Sequence, residues 1–400
     1  VLFKAITKGL TDQGSDVVDL GLISTEMHYF ASGKYRFPAS IIISASHNPA
    51  QYNGLKIVTA GVVPLHGEYG LPEIKRLALA QQFKNPIRKG NIAKQTITKD
   101  WINHALFFIE TKKIAPLTVV IDAGNGMGGV SWSRIEKKLP IKIIPLYFEP
   151  DGHFPHHLPD PLKAENLASL KRTIIEKKAD LGFAIDGDAD RLFVVDEKGT
   201  PLSGTITTAI LAAAMLEKYH QGTILYNAVC GRIVPEKVLS LNGKPIRVRV
   251  GHSFIKTYMK KHQAIFAGEH SGHFYFKDNF YADSAFIAGL TFLEFLSKKN
   301  TPLSTLVSQY NKYPASGEVN FKTATTEDIH KQLPSFFADA DSVDYLDGLS
   351  VWYKDWWFNL RASKTEPYIR LNVEADNSGI LNSNLMKLTE IITSLGGKKV

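Results

Sequence analysis

The chain has 400 residues, 44% apolar and 22% charged, the composition of an ordinary globular protein and long enough for two to four domains. No apolar run reaches the length of a membrane span, since the longest helical candidate, Ser284 to Leu296, is interrupted by Glu294, and the single Cys230 excludes an intramolecular disulfide framework. The formal charge of +8 favours anionic partners, but the lysines are scattered or paired, and no basic run interleaved with aromatics marks a nucleic-acid track.

Residues 1–14 predict a helix, Val17 to Ile23 a strand, and Ala39 to Ile43 a fully buried strand. That strand stops at Ser44-Ala-Ser-His-Asn-Pro, leaving a hydroxyl, an imidazole and an amide at a sheet edge. Asn48-Pro49 signals a turn, and standing alone the stretch reads first as a capped turn whose serines bond nearby backbone. Asn53 to Val58 is a short strand carrying Lys56, Glu73 to Gln82 a helix, and the basic, Pro- and Gly-punctuated stretch 84–95 the end of a first domain. The lone cysteine fits a reducing compartment, and the opening Val-Leu-Phe-Lys shows no signal-peptide pattern, so a cytoplasmic protein is expected.

A helix over 100–110 precedes a second α/β unit. Its strand, Leu117 to Asp122, runs into Gly124-Asn-Gly-Met-Gly-Gly, a formal G-x-G-x-x-G with Glu149 further on, which admits a dinucleotide and an NAD-dependent dehydrogenase. Against this, Pro140 leaves room only for a brief helix, and close backbone packing explains the glycines equally. The loop Asp151 to Pro161 holds His153, His156 and His157; with no second cluster at matching spacing it reads as a polar loop. The strand Ala179 to Ile185 then enters Asp186-Gly-Asp-Ala-Asp-Arg, and Leu192 to Val195 leaves it. Three alternating carboxylates between apolar strands repel one another unless a cation sits among them, and oxygen-only ligation suits Mg²⁺. An EF-hand is rejected, because Arg191 replaces the required glycine and the flanks are strands.

The third unit reads as helix Thr205 to Tyr219, strand Thr223 to Tyr226, helix Val234 to Leu241 and strand Pro245 to Val250. Gly251-His-Ser caps the helix Phe254 to Lys261, placing Arg249 and His252 at a strand-to-helix junction that favours anions. The strand Ala264 to Ala267 delivers Gly268-Glu-His-Ser-Gly-His, able to hold a polyhydroxylated ligand and move a proton. Helices Ser284 to Lys299 and Leu303 to Tyr310 follow, and Pro314-Ala-Ser-Gly reads as a linker. Paired strands Leu349 to Tyr353 and Trp356 to Leu360, a loop Arg361-Ala-Ser-Lys-Thr-Glu-Pro, a strand Tyr368 to Glu374 and a helix Leu385 to Leu395 end the chain. Arg361, Ser363 and Thr365 on that loop can hold a phosphate.

The ordered set SASHNP, DGDADR, GEHSGH and RASKTEPYIR closely resembles the α-D-phosphohexomutase superfamily, and within it the phosphomannomutase/phosphoglucomutase group; GHS at Gly251 and CGR at Cys230 match further short signatures. The resemblance implies three related α/β domains with mixed sheets around a cleft and a C-terminal α+β, TATA-binding-protein-like domain, divided as 1–97, 98–199, 200–313 and 314–400. It implies Ser46 as the residue phosphorylated in the active enzyme, with Asp186, Asp188 and Asp190 holding Mg²⁺ that also contacts the phosphoserine. Glu269 and Ser271 would grip sugar hydroxyls. Arg361, Ser363, Lys364, Thr365 and Arg370 would hold the phosphate that is not transferred. His47, Lys56, Arg191 and His273 would serve catalysis, with Arg249 and His252 binding substrate.

The reaction so implied moves a phosphoryl group between the 1- and 6-positions of mannose or glucose phosphates through a 1,6-bisphosphate, by a protein acting as monomer or homodimer. Family chains carry a stretch ahead of the point where this match begins, including a first strand and an arginine-bearing segment, so a phosphosugar-binding protein without turnover is a second expectation. Phosphoglucosamine mutase is the neighbouring activity within the fold, from which His270 leans away. Lys364 and Arg249 stand where glycine or asparagine, and lysine, are usual.

Overall fold

The computed structural model describes residues 1–81, 83, 85–323, 329, 331–363 and 368–400. Two central sheets share one topology. In the first, strands Lys142–Leu146, Thr118–Asp122 and Leu181–Ile185 run parallel and Leu192–Asp196 closes the edge antiparallel. In the second, Lys244–Val248, Thr223–Asn227 and Phe266–Gly268 are parallel, and Phe274–Phe276 and Ala282–Asp283 follow antiparallel. Both sheets turn to antiparallel where a loop leaves the carboxyl end of a parallel strand, the place where open α/β sheets present ligand-binding groups.

The amino-terminal part holds two small sheets. Val17–Asp19 pairs in parallel with Ile92–Lys94, and Ala39–Ile43, Leu55–Thr59 and Val63–Pro64 form an antiparallel meander. Two expectations change here. The strand from Val17 ends at Asp19, and Ala39–Ile43 is only half-buried because it is an edge strand, hydrogen-bonded to Leu55–Thr59 on one side. The last unit is a six-stranded antiparallel sheet, backed by the helix Ser378–Ser394. Its edge-to-centre strand Ala315–Lys322 begins inside the stretch expected to be a linker; a bulge between Ala315 and Glu318 lets that turn-like composition pair with Tyr368–Ala375.

One continuous apolar core joins the first three units, gathering Phe30, Trp101, Trp132, Phe183 and Phe286. At its centre lies the helix Ala285–Lys299, capped by the Ser284 hydroxyl, which accepts from the Ile287 amide. Glu294 stays with this buried face by accepting from the Glu110 amide and pairing with Lys298. The last unit has its own core around Phe337, Phe358, Leu371 and Leu388. No helix of the described residues is long and apolar enough to cross a membrane.

A helix absent from the sequence reading, Thr25–Lys34, threads between the first unit and the others and is buried from Thr25 through Ser32. Ser24 caps it by accepting from the Met27 amide.

Candidate active site

Three of the sequence-predicted residues, His47, Asp186 and Arg191, meet around Ser46. Its Oγ donates to Asp186 Oδ2 at 2.9 Å and lies 3.1 Å from His47 Nδ1. The same Nδ1 accepts from the Arg191 guanidinium at 2.8 Å; a guanidinium only donates, so the His47 proton resides on Nε2. Ser46 adopts a left-handed backbone, φ +55°, which an L-residue holds only against resistance, and its amide is tied to Ser44 Oγ at 2.9 Å.

The aspartate loop is shaped by its own backbone. Asp186 Oδ1 accepts from the amides of Asp190 and Arg191, both at 3.1 Å, which curls the loop so that three carboxylates face inward. Asp186, Asp188 and Asp190 are all at most 3% exposed, and their ligand oxygens lie within 4.8 Å of one another. Lys56 Nζ sits between Asp188 and Asp190 at 2.5 and 2.6 Å. Burial and the two neighbouring charges push the Asp186 carboxyl well above its usual range. Burial acts the same way on the other two, but Lys56, joined by Thr25 at Asp188 and by His273 and Arg191 at Asp190, holds both below theirs. Asp188 Oδ1 and Asp190 Oδ1 remain buried without a hydrogen-bond partner. Two orphaned carboxylate oxygens beside a buried third carboxyl, with an ammonium already drawn in, fit a hard divalent cation.

Backbone approach sets the spacing of the loops. A Cβ on Gly187 would fall 2.2 Å from the Ser46 carbonyl oxygen, so only glycine lets the serine and aspartate loops touch. The glycine run at 124–129 serves the same contact from the other side, because a Cβ on Gly126 would lie 2.5 Å from the Gly187 oxygen. The amides of Asn125, Gly126 and Met127 are already donated to Tyr147, Ala123 and Gly187. They are not offered to a pyrophosphate, and the dinucleotide alternative falls on that. The histidines of the 151–161 loop also go separate ways: His153 to Asp151, His156 to Asn125 and His157 to Asp122.

From the loop at 268–273, His273 reaches the same carboxylates. A backbone bridge pairs Arg191 with His273, and His273 Nε2 stands 3.4 Å from Asp190 Oδ1 while Ser271 Oγ lies 2.9 Å from its Nδ1. Burial pulls the His273 imidazole down, but Asp190 outweighs it and the pKa is raised. Glu269, 2% exposed, accepts from the Tyr275 hydroxyl at 2.5 Å, Asn227 Nδ2 at 3.3 Å and the Gly251 amide at 3.4 Å. Arg249 lies over the Phe254 ring, 4.1 Å from its centroid, and joins none of the carboxylates. Gly251 takes the N-cap position of the helix His252–His262 without a side-chain cap, its carbonyl accepting from the Phe254 and Ile255 amides at 3.1 Å, so His252 opens the first turn.

A second cluster carries Arg361, Ser363 and Arg370. Glu318 bridges the two arginines, 3.0 Å from Arg361 Nη2 and 3.2 Å from Arg370 Nη1, and Arg370 Nη2 donates to Ser363 Oγ at 3.4 Å. Burial pulls the His270 pKa down, with Glu318 opposing the shift and Arg361 adding to it. Lys364 and Thr365 lie outside the described residues.

The sequence reading missed several contacts. Asp188 accepts from Thr25 Oγ1 at 2.7 Å and Ser44 Oγ at 3.2 Å. Lys256 and Asp283 form an ion pair at 2.7 Å, each 1% exposed, with Lys256 Nζ 3.5 Å from the centroid of the Tyr29 ring. Ser44 stood inside a motif already in view; Thr25, Tyr29, Lys256 and Asp283 come from elements whose meeting no local pattern announces.

Residues 1–84 match the family described as phosphoglucomutase/phosphomannomutase, alpha/beta/alpha domain I. Residues 99–199 and 203–313 match its domains II and III, and 318–389 its C-terminal domain. The chain belongs to the phosphoglucomutase/phosphomannomutase family. It is 37% identical to the phosphomannomutase of Vibrio cholerae over 403 residues, covering 98% of this chain and 87% of that protein. Against the Escherichia coli K12 phosphomannomutase it is 38% identical, over 93% of this chain and 83% of that one. The crystal structure of a family protein from Burkholderia thailandensis superposes with a TM-score of 0.89 at 28% identity, over 98% of this chain and 86% of that chain. By this membership the protein is a phosphohexomutase, an enzyme of the isomerase class.

Proposed function

We propose that a phosphoryl group carried on Ser46 moves between the 1- and 6-positions of mannose and glucose phosphates, with Mg²⁺ at Asp186, Asp188 and Asp190. The observation that carries this is the Ser46 hydroxyl held 2.9 Å from Asp186 at the rim of three buried carboxylates. Magnesium, when bound, supplies positive charge to the oxygens of the transferring group.

This chain's own residues do the rest. The bond from phosphorus to Ser46 Oγ breaks as one to the sugar hydroxyl forms, giving a 1,6-bisphosphate. Arg191 and Lys56 offset the spreading negative charge, and the imidazoles of His47 and His273 carry the displaced hydroxyl proton. Glu269 and Ser271 grip sugar hydroxyls. Arg361, Ser363, Lys364, Thr365 and Arg370 hold the phosphate at rest, with Arg249 and His252 lining the path between. The bisphosphate turns end for end and returns its other phosphate to Ser46. Either end of the ligand must then fit one static phosphate loop, which is why that loop stands apart from the metal site. On this reading the units divide at 97/98, 199/200 and 313/314, and the enzyme works in the cytoplasm as monomer or homodimer.

A coupled assay with a catalytic amount of glucose 1,6-bisphosphate tests the reading. Interconversion of mannose and glucose 1- and 6-phosphates, with one phosphate on the Ser46 peptide by mass spectrometry, is expected. Faster turnover of glucosamine phosphate would reassign the sugar, and silence on all three would end the proposal.

A further inference from the structure

Glu26 takes no part in the chemistry above, yet it is 1% exposed and sits where three units meet. On Oε2 it accepts from Ser284 Oγ at 2.6 Å and from the Phe286 amide at 3.0 Å, both at the start of the central helix. On Oε1 it accepts from Ser131 Oγ at 3.2 Å and, at the longer 3.5 Å, from Ser24 Oγ. Ser131 belongs to the second unit, Ser284 and Phe286 to the third, and Ser24 to the first.

The hydroxyls are not free to point elsewhere. The Trp101 indole donates to Ser131 Oγ at 3.0 Å, the Ile287 amide to Ser284 Oγ at 3.0 Å and the Met27 amide to Ser24 Oγ at 3.3 Å. An indole or amide N–H can only donate, so each serine oxygen accepts there and turns its own proton toward Glu26. The carboxylate also faces the positive end of the helix Ala285–Lys299. The pocket is built for an acceptor with negative charge, even though burial pushes the Glu26 pKa up to about 7.

The residue before Glu26 reaches the aspartate loop. Thr25 donates its amide to the Asp188 carbonyl at 3.0 Å and its hydroxyl to Asp188 Oδ2 at 2.7 Å. One peptide bond therefore separates the three-unit junction from a proposed metal ligand. We infer that Glu26 is a positioning residue: by pinning the first unit to the second and third it holds Thr25 against Asp188 and fixes the shape of the cation site. This rests on the assignment of a divalent cation to the three aspartates.

The test is calorimetric titration of Mg²⁺ into the full chain, beside kcat and KM for a hexose phosphate at saturating Mg²⁺. Glu26→Ala is expected to weaken Mg²⁺ binding about 10-fold, and Glu26→Gln, which keeps an acceptor, about 2- to 3-fold. KM for the sugar phosphate should stay within about twofold, because the junction touches neither the sugar loop nor the phosphate cluster. A purely architectural Glu26 would lower the unfolding temperature and leave Mg²⁺ affinity at the wild-type value; that outcome overturns the inference. Should Glu26→Ala not fold, Ser131→Ala and Ser284→Ala each remove one donor and keep the carboxylate. Unchanged Mg²⁺ affinity in both would overturn it equally. Wild-type protein that takes up no Mg²⁺ would remove the cation assignment itself, and this inference with it.

Discussion

Ser46 and Asp186, 140 positions apart in the chain, meet through a 2.9 Å hydrogen bond from hydroxyl to carboxylate. The serine therefore stands at the one carboxyl of the three that is pushed up rather than down. Ser46→Ala is expected to lower kcat about 10³-fold or more. It should also remove the single phosphate expected in intact-mass spectrometry. Thermal unfolding should change little, since the side chain is only half-buried. Retention of most activity would dismiss Ser46 as the phosphoryl carrier.

Gly187 sets how closely the two loops approach. Its missing Cβ would collide with the Ser46 backbone oxygen, which no rotamer change relieves. Gly187→Ala should cost about 1–3 kcal/mol in urea unfolding. Turnover should fall further than stability, because the loops must part to make room.

The Lys256–Asp283 pair is enclosed on both sides. Lys256→Met leaves a buried carboxylate without a counter-charge and should cost about 3–5 kcal/mol. The double variant Lys256→Met with Asp283→Leu should recover most of that loss. If the single change costs under about 1 kcal/mol, the pair does not hold the helix His252–His262 to the strand Ala282–Asp283 within the third unit.

Two buried groups titrate with opposite sign. Burial lowers the His28 pKa from 6.5 to about 4, so its contribution is present above pH 6.5 and lost as the pH falls through 4. Burial raises Glu26 from 4.5 to about 7, so its contribution is present below pH 4.5 and lost as the pH rises through 7. Each is on the order of 3 kcal/mol, and between pH 4.5 and 6.5 they offset one another. His28→Gln should therefore gain stability relative to wild type as pH falls toward 4, and Glu26→Gln should lose it. Urea midpoints collected from pH 4 to 7.5 would read both slopes, and parallel curves would contradict both assignments.

The serine, aspartate and sugar loops were legible because each interrupts an apolar strand with residues that have no business in a core. The helix Thr25–Lys34 was not, since it is buried nearly all round and so carries no apolar stripe of period 3.6. With it went Thr25, Glu26 and Tyr29. The stretch 314–317 has the composition of a turn, and a bulge keeps that composition within a strand. The glycines at 124–129 look alike whether they cradle a phosphate or admit a neighbouring backbone; only the neighbour, Gly187, distinguishes the two. The Lys256–Asp283 pair joins residues 27 positions apart in different elements, which periodicity does not register.

Glu318 bridges Arg361 and Arg370, and at the phosphate site proposed for them it would make capture an exchange of anions. The incoming group must evict a tethered carboxylate that is always at hand, so a dianionic ester has the advantage over a monoanion of the same size. The same tether waits to return when the ester turns or departs. Glu318→Gln would hold phosphosugars more tightly and release them more slowly. In the proposed cycle, where the ligand lets go, reverses and is caught again, a built-in competitor would keep the grip from becoming a trap.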